Sequence, residues 1–181
     1  PIPFFCIATD IETGGQVVLD EGYLPDAILA SGAIPTLFAP VKYKEKLLVD
    51  GGISNNYPID ELLEKDVDAI IGVDVQDSLM HKKQLVSVSD IMKQVSNFNT
   101  NQQMLEKVEK TTIYIKPNIT NYSIISFEQG DEIYQTGYDA ALKLKSELEA
   151  LSKKQSSTMK PKIVENKGGA TSYTIKKVRI Q

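Results

Sequence analysis

The chain has 181 residues, 41% of them hydrophobic and 24% charged, with one His, one Cys and a net charge of −4. That composition suits one globular domain with a sizeable core and excludes fibrous and disordered classes. No apolar run reaches the roughly 20 residues needed to cross a bilayer, no stretch reads as a signal peptide, and the acidic body argues against a nucleic-acid partner.

In chain order, "PIPFFCIATDI" opens as a continuous apolar run, a buried strand at about residues 3–9 with no turn or cap before it. A buried strand at the first residue implies neighbours beyond these residues. Cys6, inside "FFCIA", reads as a buried thiol. "ETGG" turns this strand into a second, "QVVLD", as a hairpin. "LPDAILASGA" predicts a short helix, with Pro25 near its first position and Gly32 and Pro35 beyond its end. Ala27, Ala30 and Ala33 are small enough to let that helix lie close against a sheet.

"VKYKEKLLV" predicts a hairpin turning near Lys44 and Glu45, and Pro58 opens a helix, "PIDELLEK". "VDAIIGVDV" is a strand of fully buried character. Ser89 is placed to cap the next helix, with Ile91, Val95, Phe98, Leu105 and Val108 along one face, a stripe that reads as core and not as a lipid-binding surface. "TTIYIKP" is another strand. The last helix starts near Gly130, its apolar stripe running through Ile133, Tyr134, Tyr138, Ala141, Leu142, Leu148 and Leu151. Strands alternating with helices predict an α/β sheet covered on both faces. No internal repeat is visible.

From Lys153 onward there are eight basic residues and one acid, Glu165, whereas residues 1–152 hold twelve bases and twenty-three acids. The shift coincides with "KKQSSTMKPK", which reads as a linker. "SYTIKKVRIQ" then looks like a strand without partners. The expected division is a body at 1–152 and, at 153–181, a basic linker with the start of a β-rich second domain. A basic tail could also meet anionic lipid; the plainer reading is a solvated linker.

Chemistry concentrates in "LLVDGGISNNYPIDELL", residues 47–63. Asp50 ends an apolar strand, on the edge where α/β sheets bind ligands. Gly51 and Gly52 allow a sharp turn and close approach of a substrate. A half-buried carboxylate there can act as a base; the plainer alternative is a loop acid that caps a backbone amide. Ser54 stands in G-x-S-x-N, near the layout of a nucleophile elbow but lacking its second glycine, and is more simply a turn serine. His81, beside two lysines, could complete a Ser–Asp–His order but reads more simply as solvated surface. No ligand cluster for a metal and no Gly-rich phosphate cradle is present, so no cofactor is expected.

Three stretches together resemble one family. "FFCIATDIETGG", "ASGAIPTLFAPV" and "LLVDGGISNNYPI" are similar, in order and spacing, to the segments of patatin-like phospholipases that follow the nucleophile helix, with "VDAIIGVDV" where that family has its next strand. The resemblance covers about residues 1–130 and implies a modified α/β-hydrolase sheet covered by helices, present as a partial domain. It also implies hydrolysis of phospholipid or other lipid esters by a Ser–Asp dyad, with Asp50 as the catalytic aspartate and Gly51 and Gly52 completing its DGG motif. The expected partners are a lipid ester and a membrane surface, in the cell envelope or else the cytoplasm.

The family's G-x-S-x-G elbow and oxyanion loop have no counterpart in these residues, so the nucleophile serine is not in this chain and Ser54 does not inherit its role. The 181-residue chain alone is expected to be inactive. The final residues resemble, over a dozen positions, the small β-rich domain that joins some bacterial patatin-like proteins to an outer-membrane barrel. A non-catalytic lipid-binding or interaction module of the cell envelope is the alternative function.

Overall fold

A computed structural model describes residues 2–76, 79–83, 85–122 and 126–155. Strand β1 (Cys6–Asp10) runs into β2 (Gln16–Leu19) through a tight turn closed by hydrogen bonds between Asp10 and Gly14 and between Asp10 and Gly15. Gly14 sits at φ +70°, an angle open to glycine at little cost, which is why "TGG" can reverse the chain here. Helix α1 (Leu24–Ser31) follows, with Pro25 in its first turn. Then β3 (Val41–Tyr43) and β4 (Lys46–Asp50) form a second hairpin, Lys44 taking a left-handed φ of +51° at its tip.

These four strands make one antiparallel sheet in the order β2-β1-β4-β3. Ala8 and Leu48 face α1, where Ala27 and Ala30 complete a core with Leu19. Ala8, Ala30 and Leu48 are fully buried, so the small residues do bring the helix down onto the strands. Cys6 packs at the edge of this core, only partly buried, its Sγ directed at the Ala27 carbonyl at 3.5 Å.

A second cluster is built from Tyr57 and residues that follow it in the chain. Helix α2 (Ile59–Leu63) begins after Pro58, β5 (Ile71–Val73) pairs in parallel with β6 (Ile113–Ile115), and α3 (Val88–Glu109) connects them. Tyr57, Ile59, Ile70 and Met104 form its core. Helices α4 (Gly130–Leu142) and α5 (Lys145–Lys154) end the described chain.

Helices and strands mix as an α/β reading requires, but the strands fall into two sheets among the described residues and the sheet bearing Asp50 is antiparallel throughout. Four other expectations are corrected. β5 is not fully buried, because its alternate residues Ile71 and Val73 are each 50% exposed while Gly72 between them is buried. The α3 cap is Ser87, not Ser89. Ser87 accepts from the Asp90 N–H, and Asp90 reaches back to the Ser87 N–H, a reciprocal box that starts two residues earlier than Ser89.

The stripe of α3 is also largely open, with Ile91, Val95, Phe98 and Leu105 half-exposed or more and only Val108 packed on the core. The last helix divides at Lys143–Leu144 into α4 and α5, and neither has a buried residue. On β5, α3 and α4 apolar residues stand at the expected spacing, and among the described residues no layer covers most of them. The sequence of the linker and the strand-like "SYTIKKVRIQ" falls mainly outside the described residues.

Candidate active site

Asp50 is the last residue of β4, in register with Ala8 of β1. Its N–H donates to the Ala33 carbonyl at 3.0 Å, and its own carbonyl accepts from the Thr9 hydroxyl at 2.8 Å, so its backbone is tied on both sides. A short 3₁₀ turn, Gly51–Ile53, follows at once. The Asp50 carboxylate accepts from the Gly52 N–H at 2.7 Å. The side chain is half-buried, and burial raises its carboxyl above the ordinary aspartate value against the lowering effect of the Gly52 N–H. Such an acid binds a proton more strongly than one in water and is a better base when ionised.

The first glycine is required by packing. A Cβ at Gly51 would fall inside the contact radius of the Ile7 carbonyl oxygen, which is fixed backbone in β1. At Gly52 a Cβ would come within 2.8 Å of the Asp50 carboxylate and 3.0 Å of Asn56 Oδ1. Both glycines therefore let the turn fold close over strand and carboxylate.

Ser54 closes the turn. Its hydroxyl lies 2.9 Å from that of Thr9 and 3.4 Å from the Gly51 carbonyl, and its backbone is right-handed helical (φ −97°, ψ −41°). The strained angles of a nucleophile elbow are not found there, and the residue fits a turn serine. His81 is exposed and does not line the cleft beside the turn.

That cleft, about 360 Å³, is lined by Gly14, Gln16, Ile53, Ser54, Asn55, Asp60, Glu61 and Lys107. It opens beside the turn and does not include Asp50, so the sequence expectation of a crevice at the strand's carboxyl edge finds a crevice one step further along the loop. Gln16, Asn55, Glu61 and Lys107 escaped sequence reasoning. They come from β2, the loop, α2 and α3, and no local pattern links Asn55 with a lysine 52 residues away. Among the described residues no three His, Cys, Asp or Glu side chains gather as a metal site. No described helix is long and apolar enough to cross a membrane.

Comparison with known proteins falls on the same region. The family model described as patatin-like phospholipase matches residues 7–63, the segment carrying β1 to β4, Asp50, Gly51, Gly52 and α2. The chain is 28% identical to the lysophospholipase NTE1 of Scheffersomyces stipitis over 169 residues, covering 79% of this chain and 11% of that protein. Against the lysophospholipase NTE1 of Meyerozyma guilliermondii it is 28% identical over 161 residues, with 75% and 11% covered. An uncharacterized NTE family protein of Mycobacterium bovis is 24% identical over 165 residues, with 78% and 28% covered. The chain thus spans a small part of the length of these relatives. The likeness to patatin-like phospholipases read from the three stretches is borne out, and with it the α/β character of the fold.

Proposed function

We propose that residues 1–152 are the C-terminal portion of a patatin-like lipid acyl hydrolase, with Asp50 as the base of a Ser–Asp dyad and the serine supplied from outside these 181 residues. The carrying observation is the half-buried Asp50 at the DGG turn, its proton affinity raised by burial, inside the segment that matches the family.

In this mechanism Asp50 takes the proton of the serine hydroxyl as its oxygen bonds to the ester carbonyl carbon. The tetrahedral adduct collapses, the C–O bond to the alcohol breaks, and Asp50 returns the proton to that alcohol. Water then attacks the acyl-serine, again giving its proton to Asp50, and the fatty acid leaves as the serine is regenerated. No imidazole and no cofactor is needed. The raised proton affinity of Asp50 serves both directions of transfer, and Gly51 and Gly52 let the turn fold closely enough to keep the Gly52 N–H on the carboxylate. The substrate class is a lysophospholipid or related lipid ester presented at a membrane surface, which the names of the fungal relatives support. Residues 153–181 have the basic composition of a linker and, in their last residues, the apolar pattern that would start a β-rich second domain.

The test is fatty-acid release from lysophosphatidylcholine and turnover of a p-nitrophenyl ester. The 181-residue chain is expected to give background rates, and the longer natural protein containing it to be active. Turnover by residues 1–181 alone, abolished by Ser54→Ala, would overturn this reading in favour of a self-contained site.

A further inference from the structure

Behind the turn lies a buried polar cluster that the proposed chemistry leaves unused. Lys107 on α3 is only 6% exposed, and its ammonium donates to Asn55 Oδ1 at 2.7 Å. Asn55 is 7% exposed and directs its amide at Gln16 Oε1 (2.8 Å) and at both oxygens of Glu61 (3.0 and 3.1 Å). Gln16 Nε2 donates to Glu61 Oε1 at 2.6 Å. One cation, one carboxylate and two amides from four elements thus share a hydrogen-bonded set. Burial lowers the Lys107 ammonium from its ordinary value, Glu61 and Asp60 acting in the opposite direction. Charge-assisted bonds in such surroundings are strong and directional.

The backbone carries the connection forward. The Asn55 N–H donates to the Gly51 carbonyl at 2.9 Å, Gly51 is wedged against Ile7, and one residue on the Gly52 N–H donates to the Asp50 carboxylate at 2.7 Å. We infer that Lys107 is a positioning residue for Asp50: through Asn55 and the 51–55 turn it holds the Gly52 N–H on the carboxylate and sets the direction in which Asp50 faces. Its catalytic consequence rests on the reading of Asp50 as a base; the geometric coupling does not.

Lys110 supplies the control. It lies three residues further along the chain, at the end of α3, and donates to Asp60 Oδ1 at 2.6 Å, so it also ties this end of α3 to α2. That ion pair is exposed, and although Asp60 lines the same cleft, it is not one of the hydrogen bonds that join Lys107 to Asn55 and the turn.

The experiment follows the Gly52 amide by NMR in the longer natural protein containing this chain, ¹⁵N-labelled at glycine, across the titration of Asp50. In the parent, the signal is expected to move with the carboxylate's protonation and to exchange slowly. Lys107→Met should abolish the pH-linked movement and speed exchange about tenfold or more, as the local opening becomes easier. Lys107→Arg, which keeps the cation, should restore much of both, and Lys110→Met should change neither. Should Lys107→Met fail to fold, Lys107→Gln is read in the same way.

An unchanged Gly52 signal in the neutral Lys107 variants would overturn the inference. So would an equal change in Lys110→Met, which would assign Lys107 to general helix packing. The two readings fail separately. If the longer protein keeps full activity with Asp50→Asn, the base assignment falls while the Gly52 result stands. If that variant is inactive but Gly52 ignores Lys107, the positioning role alone falls.

Discussion

The burial that makes Asp50 a stronger base has a consequence for stability. The folded chain binds the Asp50 proton more tightly than the unfolded chain does, so stability falls as pH rises from the ordinary aspartate value, about 3.9, through the raised folded value. Asp50→Asn removes the titration and keeps an acceptor for the Gly52 N–H. The variant is therefore expected to melt higher than the parent at pH 7, with the gain fading below about pH 4, where the parent is protonated too. Thermal melts of the two proteins at matched pH check this, and a gain that persists at pH 3 contradicts it. A site that is costly to hold is the usual mark of function retained against stability. Gly51 has a simpler role. Gly51→Ala drives a methyl into the Ile7 carbonyl and should lower stability by about 1–3 kcal/mol in urea titration. Gly52→Ala meets side chains that can turn aside, so it should disturb the carboxylate more than the fold.

Among the elements, those governed by local chemistry were legible in the sequence. The "TGG" turn, Pro25 in α1, the Lys44 hairpin and Pro58 before α2 each rest on angles or caps that a few residues decide, and each is found where expected. Ser87 was missed in favour of Ser89 because both precede an apolar helical run and only the reciprocal bonds with Asp90 distinguish them. Ser87→Ala should cost about 1 kcal/mol, read as a shift in denaturation midpoint; no change would mean that the box is not a stabilising cap. What could not be read locally is what covers each apolar face, and which distant polar residues meet. Asp50, Gly51 and Gly52 were visible because their order along the chain is itself the motif. The Gln16–Asn55–Glu61–Lys107 set was invisible because it exists only once four elements are folded together.

At the scale of the whole molecule, the two small cores are flanked by open apolar surface on β5, on α3 and on α4, including Ile71, Val73, Phe98, Tyr134 and Tyr138. Stable monomers rarely leave that much uncovered, so the 181-residue chain in isolation is expected to bind a hydrophobic dye and to self-associate on a sizing column with light-scattering detection. A dye-silent monomer would contradict this. The central claim, that Asp50 is the base of a hydrolase working without histidine, is tested most directly by one paired measurement. Ester hydrolysis is compared for Asp50→Asn and His81→Ala in the longer natural protein containing this chain, with folding checked by circular dichroism. Asp50→Asn is predicted to lower the rate by about 10²–10⁴-fold, the usual worth of a general base, and His81→Ala to leave it unchanged. A large loss from His81→Ala, or full activity of Asp50→Asn, would contradict the account.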